Sequence, residues 1–203
     1  MKMKIFSILI MILTSLTFTI QSYATPSENF WEDNDGDIFD DWTLARTRAF
    51  GEDGFFQITE ETFRPIIAFE SLGENLNSAY NQGEKIGSEY GDTYQRAEEI
   101  FYYVRNNVHY TTDKSQFKFE EFAQNADELT ATINQKGFSK GDCEDMAVLL
   151  AVMYKGAGYR SAIVLAPGHA ATLVYLPGYH KANIVFDFNG EEGWIWAEAT
   201  GNT

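Results

Sequence analysis

Cys143, His169 and Glu198 are the side chains of this sequence whose types and order could support nucleophilic catalysis. Cys143 is the only cysteine, and it follows Gly141-Asp142 at the predicted start of a helix. The free backbone N–H groups and the positive end of the dipole at a helix N-terminus favour a thiolate over a thiol. The same N–H groups could hold the oxygen of a tetrahedral acyl intermediate. The position of Cys143 therefore favours a thiol that attacks a carbonyl group.

A thiol nucleophile needs a base, and histidine is the side chain whose pKa lies nearest neutrality. The sequence offers His109, His169 and His180. His109 lies at a predicted helix end well before the cysteine, and His180 lies in a turn, where an imidazole normally faces solvent. His169 begins a predicted strand after the Pro167-Gly168 turn, at an edge from which its side chain can point toward a helix terminus. His169 is therefore the predicted base.

The imidazole also needs an acceptor that holds it in one tautomer, and a carboxylate near the end of the sequence offers one. Alternation along a strand places Trp194, Trp196 and Glu198 on one face. A carboxylate that shares a face with two indole rings is partly desolvated, which is unfavourable unless the carboxylate is paired. Glu198 is therefore the predicted partner of His169, and Asp187 is the rival acid.

The predicted helices precede a predicted sheet. Apolar residues recur at helical spacing in several stretches, and the last helix is apolar on every face, which is typical of a buried helix. Asp92 is a predicted N-cap and Gly137 a predicted helix stop, while Gly83 and Gly87 are expected to weaken their helix. One helix is predicted directly after Pro65. Four more are predicted over residues 74–90, 92–110, 119–137 and 142–156.

The strands are predicted from short segments rich in β-branched and aromatic residues, separated by Pro-Gly and Asn-Gly turns. Their short connections predict an antiparallel meander. The fold class is therefore α+β, with one buried helix that carries Cys143 at its N-terminus and packs on an antiparallel sheet. The predicted strands are Tyr159–Ala166, His169–Leu176, Asn183–Phe188 and Trp194–Thr200.

The first 24 residues have the pattern of a signal peptide: lysines at positions 2 and 4, an apolar run over 5–20, and Ser22-Tyr-Ala24 before the predicted cleavage site. The chain is therefore expected to be secreted, and to be bound to a membrane only if this segment is retained. Its removal makes the net charge more negative than −15. Nucleic acid is excluded as an expected partner, because it would be repelled.

Residues 25–54 are predicted to be an acidic appendage before a domain of residues 55–203. Alternate aspartates closed by a glycine turn are typical of calcium loops. This stretch resembles the secreted calcium repeat DxDGDGxxDxW but lacks its second glycine, because Ile38 follows Asp37 directly. A solvated acidic linker is the alternative interpretation. The candidate Ca²⁺ ligands are Asp33, Asp35, Asp37, Asp40 and Asp41.

Three parts of the sequence form a recognisable pattern: Gly141-Asp-Cys-Glu-Asp145 with its small-residue helix, strand-opening His169, and Trp196-Ala-Glu198-Ala-Thr200. Together they resemble the transglutaminase-like superfamily of archaeal and bacterial proteins. The family pattern is GDCEDxAxLL, then H, then WxxxDxT. The resemblance implies a papain-like core and a triad of Cys143, His169 and Glu198. Glu198 departs from the usual aspartate, and His169 is followed by Ala-Ala rather than by an aromatic residue.

The resemblance and the residues together predict a thiol enzyme that attacks amide or peptide bonds through a thioester, with a protein or peptide as substrate. The preferred interpretation is a cysteine peptidase that needs no cofactor for catalysis. A protein-glutamine acyltransferase that cross-links proteins is one alternative. The other is a non-catalytic cell-surface binding module of the same fold, in which Glu198 marks relaxed chemistry. A buried, inert core cysteine is the structural alternative for Cys143 itself. Its place in the first turn of a helix favours the catalytic interpretations.

Overall fold

The structure is a computed structural model. The described part of the chain comprises residues 27, 29–41, 43–51, 54–58, 63–65, 78–188 and 190–201. The predicted signal peptide and the predicted helix after Pro65 lie outside it. Within these residues no helix has the length and apolar character needed to cross a membrane.

Helices form the first layer of the domain. Asp92 caps the second helix, as predicted, because its Oδ1 accepts a hydrogen bond from Gln95 N at 2.8 Å. The helix that carries Cys143 ends beside Gly158, also as predicted. The helices are α1 (Ser78–Glu89), α2 (Thr93–Asn107), α3 (Asp113–Gln116), α4 (Ala126–Lys136) and α5 (Cys143–Gly156).

Helix α4 begins later than the sequence pattern predicted. Phe119 and Phe122 precede the helix, because Asn125 and Glu128 form a capping box that starts it at Ala126. The aromatic residues of this stretch contact one another instead, with the rings of Phe119 and Phe122 6.0 Å apart. The helix predicted over 119–137 therefore forms only over Ala126–Lys136.

The strands form three sheets: β1 to β5 in chain order, the parallel pair β6 and β7, and a C-terminal sheet. Their bounds are β1 (Trp31–Glu32), β2 (Ile38–Phe39), β3 (Ala45–Phe50), β4 (Gly54–Ile58), β5 (Phe63–Pro65), β6 (Val108–Tyr110), β7 (Ser139–Gly141), β8 (Ser161–Ala166), β9 (His169–Tyr175), β10 (Val185–Phe188) and β11 (Glu191–Ala197). The predicted α+β class is confirmed.

The C-terminal sheet is antiparallel, with the strand order β10-β11-β9-β8. The predicted antiparallel pairing is confirmed, but the predicted meander is wrong, because β11 lies between β9 and β10. The connection over residues 176–184 is long enough to carry the chain past the position that β11 fills. Gly193 lets β11 pass close to this connection, because a Cβ there would lie 2.7 Å from Pro177 Cα.

Helix α5 is the centre of the domain. Residues 144–154 are all buried, and the helix packs against α1, α2, α4, β8 and β9. Glycines allow the close contact with α1: a Cβ on Gly83 would lie 2.0 Å from Met153 O. A Cβ on Gly156 would lie 2.2 Å from Tyr80 O. Gly83, expected only to weaken its helix, therefore has a packing role.

Arg46 on β3 links the N-terminal strands to α4. Its buried side chain pairs with Asp40 Oδ2 at 2.7 Å and with Glu128 Oε2 at 2.9 Å. Its Nη1 donates to Ala123 O at 2.9 Å, and Ala123 N donates back to Arg46 O at 2.8 Å. Residues on both sides of the predicted boundary at residue 54 thus share a buried ion-pair network, and that boundary stays a prediction.

The aspartates of the predicted calcium loop bind protein donors. Asp33 Oδ1 accepts hydrogen bonds from the backbone N–H groups of Asp35 at 2.9 Å and Asp37 at 3.0 Å. Asp37 accepts from Thr47 Oγ1 at 2.9 Å and pairs with Arg48. The hydrogen bonds from Arg48 and Thr47 lower the pKa of Asp37. These contacts shape the loop, and its binding of calcium stays a prediction.

Replacing Arg46 with methionine is expected to destabilise the fold by about 3–5 kcal/mol, because the Asp40 carboxylate would stay buried without its partner. Urea denaturation of the wild type and of Arg46→Met measures this change in the free energy of unfolding. Arg48→Met is the control, since the Arg48 side chain is 34% exposed and its loss should cost about 1 kcal/mol or less. Equal destabilisation by the two variants would contradict the role assigned to Arg46.

Isothermal titration with Ca²⁺ of the wild type and of Asp35→Ala/Asp37→Ala tests the predicted calcium loop. Ca²⁺ binding to this loop is expected to be weak, with a dissociation constant of about 10⁻⁴ to 10⁻³ M, because the missing glycine loosens the turn. The double variant should lose this binding, and the control Asp187→Ala should keep it. Identical heats from the wild type and the double variant would end the idea.

Candidate active site

Cys143 is the first residue of α5, and only Asp142 separates it from β7. Glycine is required at position 141, because the side chain of Asp145 folds back against it: a Cβ on Gly141 would lie 2.7 Å from Asp145 Oδ2. The side chain of Asp142, the N-cap residue, makes no capping hydrogen bond. It therefore leaves the N–H groups of the first helical turn to other partners.

The thiol of Cys143 lies between Glu144 and strand β9. Its Sγ donates to Glu144 Oε2 at 3.3 Å, and the backbone N–H groups of Ala170 and Glu144 donate to the sulfur. Burial raises the pKa of the thiol, and the negative charge of Asp142 adds to this, while the hydrogen bonds offset it only in part. Desolvation of the thiolate therefore outweighs the stabilisation that the helix terminus was expected to give it. The thiol depends on a base for its ionisation.

His169 and Glu198 form a hydrogen-bonded pair at the start of β9. The bond joins His169 Nε2 to Glu198 Oε2, so Nδ1 is the ring nitrogen that this bond does not use. The Trp196 ring stacks beside the imidazole, with the ring centroids 6.3 Å apart and the planes 24° from parallel. The pair is partly open to water, because the His169 side chain is 33% exposed and that of Glu198 is 25% exposed.

Thr200 holds the other oxygen of Glu198. Its backbone N–H donates to Glu198 Oε1 at 3.0 Å, and its Oγ1 donates to the same oxygen. Burial opposes ionisation of Glu198, but the hydrogen bonds from Thr200 and His169 outweigh it and lower the pKa of the carboxyl. Thr200 was quoted in the family pattern without a role, and the structure supplies one: it orients the acid.

The thiol and the acid line the same narrow pocket between α5 and the C-terminal sheet. Helix α5 packs on β9, so that Cys143 faces Ala170, the residue after His169. Small side chains at this point leave the space between the helix and the sheet. The pocket is lined by Cys143, Met146, Ala147, Leu150, Ala170, Ala171, Ala197, Glu198 and Ala199.

The rival residues lie elsewhere. Asp187 is exposed on the outer strand β10, where it lies opposite Glu192 and β11 separates it from β9. His109 is exposed and stacks on Phe138, with the ring centroids 4.8 Å apart. His180 is exposed in the connection between β9 and β10. The structure thus places Glu198, and not Asp187, against His169.

Asp145 anchors the chain before α4 onto the helix that carries the thiol. It is fully buried and accepts hydrogen bonds from Gln124 N at 2.7 Å and Gln124 Nε2 at 2.6 Å. Burial, together with the charge of Asp142, holds the pKa of Asp145 well above its ordinary value despite these bonds. Asp145 is the last residue of the family motif Gly141-Asp-Cys-Glu-Asp145, so the motif marked it in the sequence, but no role was assigned to it.

More carboxylates surround the N-terminus of α5. Burial raises the pKa of Asp113 to about 7 and that of Glu144 to about 12, and neighbouring carboxylates add to both shifts. Glu144 belongs to the family motif, whereas Asp113 and Glu121 lie in segments where no pattern singled them out. The oxygens of Asp113, Glu121 and Glu144 lie within 4.8 Å of one another, as do those of Asp113, Asp142 and Asp145.

The sequence was compared with the profiles of known protein families, and one family matches. The sequence profile of the transglutaminase-like superfamily matches residues 81–200, which include α2 to α5 and the whole C-terminal sheet. This match confirms the resemblance seen in the sequence motifs. No curated protein and no solved structure matches the chain.

Replacing Thr200 with valine is expected to raise the pKa of Glu198 toward its ordinary value, because the hydroxyl donor is lost. Glu198 has a lowered pKa in the fold, so its ionised form stabilises the fold above the unfolded pKa, and this contribution is lost as the pH falls through the folded pKa. In Thr200→Val this contribution should be smaller, and its loss should be complete at a higher pH.

Carboxyl ¹³C chemical shifts, followed by NMR between pH 2 and 7, measure the pKa of Glu198 directly. Thr200→Ser is the matched control, because it keeps both the hydroxyl and the backbone donor, and its Glu198 pKa should equal that of the wild type. An unchanged Glu198 pKa in Thr200→Val would show that Thr200 does not orient the acid.

Proposed function

We propose, from the premise that the chain belongs to the transglutaminase-like superfamily, that it is an exported thiol enzyme that hydrolyses amide bonds in peptides. Cys143 acts as the nucleophile, His169 as the base and Glu198 as the residue that orients the imidazole. The observation that carries the proposal is the His169–Glu198 hydrogen bond beside a pocket that Cys143 and Glu198 line together.

The first step transfers the thiol proton to His169 as the sulfur attacks the substrate carbonyl carbon. Glu198 holds Nε2, so Nδ1 is the nitrogen that takes the proton, and the carboxylate stabilises the imidazolium that forms. The carbonyl π electrons move to oxygen to give a tetrahedral intermediate. Its collapse expels the amine, which takes the proton from His169, and leaves a thioester on Cys143.

The second step hydrolyses the thioester. His169 removes a proton from water as the water oxygen attacks the thioester carbon, and the sulfur leaves and recovers the proton. The exposure of the His169 and Glu198 side chains allows water to reach this point. Hydrolysis is therefore preferred over transfer of the acyl group to an amine, which requires that water be kept out.

The first turn of α5 is suited to stabilise the negative oxygen of both tetrahedral intermediates. Its backbone N–H groups point out of the helix N-terminus at the thiol, where the helix dipole is positive. Asp142 does not cap these groups with its side chain. The N–H of Cys143 itself is the proposed principal donor.

Export and substrate class rest on the sequence. The signal-peptide pattern of residues 1–24 supports secretion, and a net charge of −15 disfavours a nucleic-acid substrate. A peptide or protein is the proposed substrate, because a thiol nucleophile paired with a histidine base is suited to attack an amide carbonyl.

Turnover of a fluorogenic peptide library by the wild type and single variants tests the proposal. Cys143→Ala should abolish activity, and His169→Ala should leave little more, because the residues act as a unit. Glu198→Gln should keep the melting temperature but lower kcat by about 10²–10⁴-fold, through loss of imidazole orientation. Asp187→Asn is the matched control and should be fully active.

The opposite pattern would contradict the assignment: full activity in Glu198→Gln together with a loss in Asp187→Asn. Incorporation of a fluorescent primary amine into a glutamine-containing protein, faster than peptide hydrolysis, would identify an acyltransferase instead. An absence of turnover, with Cys143 reacting with iodoacetamide no faster than a free thiol, would identify a binding module.

A further inference from the structure

Helices α1 and α2 enclose a groove of about 280 Å³ that shares no lining residue with the pocket of the candidate active site. We call it the α1–α2 groove. Its volume is close to the lower end of the range for small-ligand sites. Ile86 of α1, which is 6% exposed, forms its buried apolar base. The other lining side chains are polar or aromatic, so the groove is suited to a polar ligand with a flat or apolar part.

Three tyrosines supply the aromatic part of the lining. Tyr90 directly follows α1, and Tyr102 and Tyr103 lie on α2. Tyr102 is 46% exposed, whereas Tyr90 and Tyr103 are half-buried. Burial raises the pKa of the Tyr103 hydroxyl, so this ring stays neutral. The face of a neutral tyrosine ring is electron-rich and attracts cations.

Two carboxylates share the groove with these rings. Glu89 ends α1 and is exposed, and Glu99 lies on α2 and is half-buried. Neither forms an ion pair with a residue of the described part of the chain. No lysine or arginine is among the described residues that line the groove. The groove therefore carries negative charge that its own lining does not neutralise.

Basic side chains near the groove do not pair with these carboxylates. Arg96 Nε donates to Tyr90 O at 3.0 Å, and Lys181 Nζ pairs with Glu98 Oε1 at 2.6 Å. Lys85 is exposed one turn before Glu89 and forms no ion pair with it. The two groove carboxylates are thus free to pair with a cation from outside the protein.

Amide side chains add further hydrogen-bond acceptors. Gln82 and Asn106 line the groove. Asn107 also lines it, and its Nδ2 donates to Tyr103 O at 2.8 Å, so this contact does not use its Oδ1. Carboxylate and amide oxygens accept hydrogen bonds from N–H groups. A ligand with several N–H donors and a positive charge therefore matches the polar part of the lining.

We infer that the α1–α2 groove binds a guanidinium group, as carried by arginine. This group has a positive charge for Glu89 and Glu99, five N–H donors in one plane, and a flat face that stacks on tyrosine rings. An ammonium group matches less well, because it is compact and strongly hydrated, so it loses more on leaving water. An uncharged sugar would leave the carboxylates without a counter-charge. The inference does not depend on the activity of Cys143.

Calorimetric titration tests this binding. The protein is full-length Cys143→Ala, in which cleavage by the thiol cannot contribute heat, at about 150 mM NaCl, where the Debye length is about 8 Å. The probes are L-arginine, acetyl-Ala-Arg-Ala-amide and the matched acetyl-Ala-Lys-Ala-amide. The arginine peptide should bind about fivefold or more tightly than the lysine peptide. L-Arginine that binds as tightly as the arginine peptide would identify the free amino acid as the ligand, and weaker binding would identify arginine within a peptide; both support the inference.

Variants of the lining locate the site. Glu99→Gln should weaken binding of the arginine peptide about fivefold, and Glu89→Gln/Glu99→Gln at least about tenfold, because charge-assisted hydrogen bonds are lost. Glu84→Gln is the matched control, since Glu84 is exposed on α1 outside the groove, and it should bind as the parent does. Tyr102→Leu should weaken binding about two- to fivefold, whereas Tyr102→Phe, which keeps the ring face, should not.

Four results would overturn the inference. Neither arginine probe gives heat of binding, or Glu84→Gln weakens binding as much as Glu99→Gln does, which would mean attraction by net charge alone. Equal affinity for the lysine and arginine peptides would show that the guanidinium group is not recognised. Binding of an uncharged disaccharide that is lost in Tyr102→Leu would identify the groove as a saccharide site instead.

Discussion

Helix α5 has apolar or small side chains on every face, so it must be covered on all sides. The chain meets this requirement by placing α1, α2 and α4 against it on one side and β8 and β9 on the other. A helix held in this way has only its ends near solvent. The thiol at its first residue is therefore half-buried at the junction of the helical layer and the sheet, where the first residues of β9 also lie.

Two opposite electrostatic surroundings meet at that junction. On the sheet side, His169, Glu198 and Thr200 form a chain of hydrogen bonds in which every carboxylate oxygen has a donor. On the helix side, the half-buried Asp142 and the buried Glu144 flank the thiol. Negative charge there opposes thiolate formation. The pair on the sheet side supplies the proton acceptor that the thiol needs.

The parts of this site that could be predicted are those set by short-range pattern. The position of Cys143 at a helix start follows from the preceding Gly141-Asp142 and a long apolar stretch. Glu198 follows from alternation along the predicted strand, although β11 itself ends at Ala197. The strand order could not be predicted, because it depends on how a long connection packs, and β11 lies between β9 and β10 and pairs with both. The acidic cluster was missed for the same reason: Asp113 and Glu144 are neighbours only in the folded chain. Thr200 was visible in the sequence, but its role depends on the geometry of Glu198.

The central claim is that Cys143 forms a thioester under the control of the His169–Glu198 pair. Mass spectrometry of rapidly quenched enzyme, mixed with an activated peptide ester, measures this directly. The account predicts an acyl adduct on the peptide that contains Cys143, formed about 10²-fold or more slowly in Glu198→Gln than in the wild type. An adduct on another residue, or equal rates in the two proteins, would contradict it.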